Sequence, residues 1–190
     1  MRHRWEMIRF TFDWEKAIDA IEFLAEQKPG LTQYYIGKLL FFADREHILD
    51  YGRPITGDRY VAMEHGPVPS AVRNLLNGEY PDEVADRLEE RVVIETRGNK
   101  QHVFAKGGHD GHASRLSGSD KEYLLDAVAK YAHLSFGRLR EISHEDPAWV
   151  EAWERLGTAA NEMKIELWLG QLEDAEIAEA QMIETSRCVA

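Results

Sequence analysis

Three neighbouring stretches carry most of the information in this chain: Lys38-Leu39-Leu40-Phe41-Phe42-Ala43-Asp44-Arg45-Glu46-His47, then Tyr51-Gly52-Arg53-Pro54-Ile55-Thr56-Gly57-Asp58-Arg59-Tyr60, then His65-Gly66-Pro67-Val68. The first continues a helix that begins near Thr32, whose hydroxyl is suited to cap it. Ile36, Leu39, Leu40, Ala43 and His47 share one face, with Tyr35, Phe42 and Leu49 alongside. So broad an apolar surface predicts the central helix of the fold. Tyr51-Gly52-Arg53-Pro54 ends it, Gly57-Asp58 turns the chain, and Arg59 to Met63 reads as a short strand. Gly66-Pro67-Val68-Pro69 forbids continuation, and the next helix starts at or just before Ser70 and stops at Asn77-Gly78.

Upstream, Trp14, Ala17, Ile18, Ile21, Leu24 and Ala25 recur at spacings of three and four with acidic residues between them, which describes an amphipathic helix ended by Lys28-Pro29-Gly30. Downstream, Arg91 to Thr96 and Gln101 to Ala105 flank Arg97-Gly98-Asn99-Lys100 and predict a β-hairpin. Together with the strand at 59 to 63 this predicts one small antiparallel sheet. Gly107 to Gly118 reads as a loop, followed by a helix opened by a capping box of Ser119 and Glu122. Ser135 caps a short helix, and Asp146 with Pro147 at the first helical position opens another, carrying Trp149 and Trp153 into the core.

From Thr158 onward there are seven acidic and two basic residues, net −5, yet Ile165, Trp168, Leu169 and Leu172 keep helical spacing. The expected organisation is a domain over residues 1–156 and an acidic C-terminal helix or tail over 157–190. The fold class is α+β and mostly α-helical: a helical bundle with a small antiparallel β-sheet and a C-terminal helical extension.

With 34 acidic and 23 basic residues among 190, the net charge is −11, which opposes binding to nucleic acid and suits a basic partner. A single cysteine, Cys188, excludes an intrachain disulfide framework, and no stretch approaches the roughly 18 apolar residues of a membrane span. A soluble, cytoplasmic protein is expected.

The three opening stretches, with the later Tyr131-Ala132-His133-Leu134-Ser135-Phe136 and Asp146-Pro147-Ala148-Trp149-Val150-Glu151-Ala152-Trp153, resemble the Panacea domain of SocA-like antitoxins, often carried by prophages. The similarity runs from about Ala17 to Trp153. It implies an antitoxin of a type II toxin–antitoxin module that binds and neutralises a cognate protein toxin; the family's namesake also works as an adaptor that hands its toxin to an ATP-dependent protease. It makes Gly57, Gly66, Pro67, Trp149 and Trp153 structural motif residues, and Gly66-Pro67-Val68 a structural turn that fixes the strand-to-helix angle.

Asp44, Arg45, Asp58 and Arg59 sit at element boundaries, where carboxylates and guanidiniums either brace the central helix against the turn or form a polar surface for a partner. The toxin-contact candidates are Asp44, Asp58, Trp168 and the acidic tail, with Trp168 as the hot-spot choice. Two rivals remain. One is a DNA-binding regulator, with residues 32 to 50 as half of a helix-turn-helix, the hairpin as a wing, and a patch of Lys28, Lys38, Arg45, Arg53 and Arg59. The other is a metal-dependent hydrolase using His102, His109, Asp110 and His112, or a catalytic set of Glu64, His65 and Ser70. The metal ligands lie on a glycine-rich loop that fixes no geometry, and Glu64, His65 and Ser70 share only proximity, so no enzyme activity, metal or cofactor is expected.

Overall fold

The chain is described from a computed structural model over residues 8–107, 114–155, 160–170 and 182–183. Helices α1 (Trp14–Gln27) and α2 (Gln33–Tyr51) flank a two-residue strand β1 (Leu31–Thr32). Thr32 caps α2 through its hydroxyl, which accepts the Tyr35 N–H at 3.4 Å, and Gly52 ends the helix in the left-handed region. Every residue from Lys38 to Asp44 is buried, so α2 is covered all round. On one side Ile36, Leu39, Leu40 and Ala43 pack with Ile18, Ile21 and Leu24 of α1. On the other, Phe41, Phe42 and Ile48 pack with Tyr60, Trp149 and Trp168. The central helix is therefore a wall shared by two cores.

Strands β2 (Tyr60–Met63) and β3 (Gly66–Pro69) form a hairpin across the Glu64-His65 turn. The turn expected at Gly66-Pro67-Val68 is thus part of a strand. The Ser70 N–H donates to the Arg59 carbonyl at 2.9 Å, which sets the phase of the ladder: the Val61–Val68 and Met63–Gly66 pairs exchange bonds, and Pro67 and Pro69 fall between them. Prolines are tolerated there because β3 is an edge strand and their missing N–H groups face away from β2.

Helix α3 (Ser70–Leu76) follows, then α4 (Asp82–Arg91), β4 (Val92–Arg97) and β5 (Lys100–Ala105). The hairpin β4–β5 pairs with β1, not with β2, so there are two three-stranded sheets, ordered β1-β5-β4 and β3-β2-β6, where one was expected. The single-sheet expectation fails because α2 separates the two hairpins. Helix α5 (Gly118–Tyr131) begins two residues earlier than expected: Ser117 is the cap, with Asp120 closing the reciprocal box onto the Ser117 N–H at 2.8 Å.

Helices α6 (Phe136–His144) and α7 (Pro147–Glu154) have the caps expected from Ser135 and Asp146. Strand β6 (Asn161–Glu162) then pairs with β2, and the short helix α8 (Glu166–Leu169) places Trp168 in the second core. The described part of the expected extension is thus joined to the rest by strand pairing and burial. Leu172 and the acidic stretch that follows it, within residues 171–181, lie outside the described residues, as do the loop residues His109, Asp110 and His112.

Candidate functional site

The first turns of α2, the β2–β3 hairpin and α3 enclose an open cleft of about 310 Å³. Two glycines let its walls approach. A Cβ on Gly37 would lie 3.2 Å from the Pro69 ring. A Cβ on Gly66, whose φ is +99°, would collide with both the Lys38 Nζ and the Ser143 Oγ. Gly66 is therefore required twice, for its backbone and for the space it leaves. Opposite the polar floor, Val68, Pro69, Val72 and Leu76 form an apolar wall.

Lys38 lies beneath this cleft, 1% exposed, with its ammonium donating to the Pro67 carbonyl at 2.9 Å and lying 5.3 Å from the centre of the Tyr34 ring. Burial pulls its pKa down to about 7, because a low-dielectric site disfavours the cation. The Tyr34 hydroxyl is buried without a hydrogen-bond partner, and burial pushes its pKa up to about 12. The Tyr34 ring tilts against Phe136 at 4.7 Å, and His65 meets the same Phe136 ring edge-on at 5.3 Å. Phe136 itself is 44% exposed at the rim. Chemically, the cleft is an apolar slot with amine and phenol donors at its base, suited to hold an acceptor carried on an apolar group.

The sequence-derived contact residues sit elsewhere. Asp44 is fully buried, where it accepts the Ile55 N–H at 2.6 Å and the Tyr60 hydroxyl at 2.7 Å. Burial raises its pKa to about 6 against the opposing effect of those two bonds. Asp58 spans the start of α3, accepting from the Ala71 and Val72 N–H groups at 2.9 and 2.8 Å, and burial raises its pKa also. It is a helix cap supplied from across the hairpin, a role no local pattern announces. Trp168 is 1% exposed and donates its indole N–H to Asp146 at 3.0 Å. Asp44 and Trp168 are thus corrected from partner contacts to internal struts, since neither presents surface to another protein. The brace between α2 and the turn exists, but its donor partners are a backbone N–H and a tyrosine rather than an arginine.

Among the motif residues, Gly57 has φ +73° and a Cβ there would strike the Thr11 carbonyl. Trp149 stacks between His144 at 3.9 Å and Trp153 at 5.3 Å and donates its indole N–H to the Met63 carbonyl, tying α7 to the hairpin. Trp153 is 45% exposed, so it covers Trp149 from outside instead of filling the core.

The rival chemistries find little support in this placement. The helix expected to read DNA is the buried α2. Arg45 pairs with Glu46 and Asp146, Arg53 with Asp120, and Arg59 with Glu162, while Lys28 donates to the Ala132 carbonyl, so the proposed basic patch is spent on internal contacts. In the wing, Arg91 is bound to Asp19 and Glu22 and Arg97 to Glu95. His102 holds the Gly30 carbonyl at 2.9 Å, and among the described residues no cluster of three His, Cys, Asp or Glu is placed to hold a metal ion. His65 faces Phe136, and no hydrogen bond joins it to Glu64 or Ser70 among the described residues.

Reasoning from the sequence missed Tyr34 and the cleft role of Lys38. The available signal was a lone lysine inside the apolar run from Ile36 to Ala43, next to a mid-helix glycine, Gly37. The family model of the antitoxin SocA-like Panacea domain matches residues 36–150. No curated protein and no solved structure matches the chain. No helix among the described residues is long and apolar enough to cross a membrane.

Proposed function

We propose that this chain, which belongs to the family of SocA-like antitoxins with a Panacea domain, binds a cognate protein toxin and neutralises it by covering the toxin's working surface. The observation that carries the reading is the convergence of Lys38 with Gly66 and Pro67, from two separate stretches, on one open cleft within the matched segment. Here the amine and the phenol beneath the cleft keep unused hydrogen-bonding capacity beside an apolar wall, which suits capture of a partner group.

The net charge of −11 supports a partner of opposite sign, since complementary fields speed encounter and exclude wrong partners. Exposed Phe136 and Trp153 add aromatic area of the kind that concentrates interface energy. Delivery of the bound toxin to an ATP-dependent protease would use the same complex. The direct test is co-purification: tagged chain expressed with the product of the adjacent reading frame should carry that product through size-exclusion chromatography in fixed stoichiometry. Separate elution of the two proteins would contradict the reading.

A further inference from the structure

We infer that the cleft between α2, α3 and the β2–β3 hairpin is the anchoring pocket for the toxin, and that it takes an aspartate or glutamate side chain presented beside an apolar residue. The inference rests on the antitoxin reading and adds to it a site and a recognition chemistry.

Buried hydrogen-bonding groups in folded proteins are satisfied almost without exception. One group at the base of this cleft is not, and a second is only partly satisfied. The Tyr34 hydroxyl has no partner, and the Lys38 ammonium has three donors and one protein acceptor, the Pro67 carbonyl. Two buried carboxylates in this molecule find opposite charges: Asp120 meets Lys16 at 2.7 Å and Arg53 at 2.9 Å, and Asp19 meets Arg91 at 3.0 Å. Lys38 has no carboxylate within ion-pair distance among the described residues, although the chain has an excess of them. An acceptor supplied from outside completes both groups.

The surroundings fix the sign and the size. Of the charged side chains lining the cleft, Lys38 and Arg73 are cationic and Glu64 is anionic, so this part of an acidic molecule is locally positive. A space of about 310 Å³ is at the small end of ligand sites and suits one or two side chains reaching in from a protein surface. Val72 and Leu76 then receive the apolar neighbour. A carboxylate entering here forms charge-assisted bonds to a buried ammonium, where the low local dielectric strengthens them.

The pH dependence follows from Lys38, whose pKa of about 7 leaves the cation partly populated at neutrality. An anionic partner binds the protonated form, so affinity falls as pH rises from 6 to 8.5. The other charged or titratable groups around it are Tyr34 on α2, Glu64 and His65 on the hairpin, Arg73 on α3, and Arg140 and His144 on α6. Comparison with a Lys38 variant separates its contribution from theirs.

The experiment measures binding of the purified product of the adjacent reading frame to wild type, Lys38→Met and Tyr34→Phe by calorimetry at pH 6, 7 and 8.5. Thermal melts verify that each variant is folded. Both variants should weaken binding by about tenfold or more at pH 6, and the decline toward pH 8.5 should be much shallower in Lys38→Met. Tyr34→Phe removes a hydroxyl that has no internal partner, so it decides the matter should Lys38→Met fail to fold. Tight wild-type binding with the folded variants within twofold would overturn the pocket and leave the antitoxin reading standing. No binding by folded wild type would overturn both.

Discussion

The Asp44 carboxylate on the central helix accepts the Tyr60 hydroxyl at 2.7 Å, and both side chains are sealed from water. The other oxygen of Asp44 holds the Ile55 N–H, so one side chain fastens α2 to the loop after it and to β2. Asp44→Ala leaves two buried donors unpaired and should cost about 2–4 kcal/mol in urea unfolding at pH 7. Asp44→Asn keeps the shape and one acceptor and should cost less. Because burial holds the Asp44 pKa at about 6, above its unfolded value, its stabilising contribution is full below pH 4 and declines as pH rises through 6. The cost of Asp44→Asn should therefore be larger at pH 4 than at pH 7.

Asp120 shows the opposite sign. Burial alone would raise its pKa, but hydrogen bonds and charge from Lys16, with the Ser117 N–H, bring it down to about 2. The folded state then holds fewer protons than the unfolded state between pH 2 and 4, so this stabilisation is present above pH 4 and lost as pH falls through 2. Asp120→Asn should cost on the order of 2 kcal/mol at pH 7 and little at pH 2. A cost that does not change with pH would contradict the ion-pair account.

Two glycines with left-handed backbones make a controlled comparison. Gly52 has φ +66° and open space where a Cβ would stand, whereas Gly66 has φ +99° and a Cβ there would meet Lys38 and Ser143. Gly52→Ala should cost about 1 kcal/mol, the backbone term alone. Gly66→Ala adds overpacking and should cost roughly 2–4 kcal/mol. Equal effects in denaturant melts would show that the space beneath Gly66 is not needed.

Trp168 reaches back from the C-terminal segment to pack edge-on against Phe41 at 5.8 Å and to bond Asp146. Trp168→Ala should destabilise the whole protein by about 3–5 kcal/mol, and Trp168→Phe by about 1–2 kcal/mol, the lost indole bond. If residues after 157 form a separate tail, a chain ending at Arg155 should melt as the full chain does; the packing of Trp168 predicts instead that it melts at a clearly lower temperature.

Much of this was legible in the sequence because local chemistry determined it. Thr32, Ser135 and Asp146 are caps by residue type and position, and Gly98-Asn99 between β-rich runs marks a hairpin. Helix α4 went unread: Val84 and Leu88 are its only buried residues, a stripe too thin to stand out among charges, although Asp82 and Glu83 after Pro81 mark its start. Strand β3 was hidden by two prolines, which an edge position makes harmless. The burial of Asp44 and Trp168 was not visible either, since both are satisfied by residues distant in the chain, Tyr60 and Asp146. Charge and aromatic character suggested surface there, while three-dimensional pairing made them core. The cleft is of the same kind, built by Lys38 and Gly66 meeting across two elements.

The most direct test is growth. Cells expressing the adjacent reading frame alone should stop growing, and co-expression of this chain should restore growth, with toxin abundance followed in parallel to separate occlusion from protease delivery. Arrest that persists despite abundant, folded chain would contradict the account.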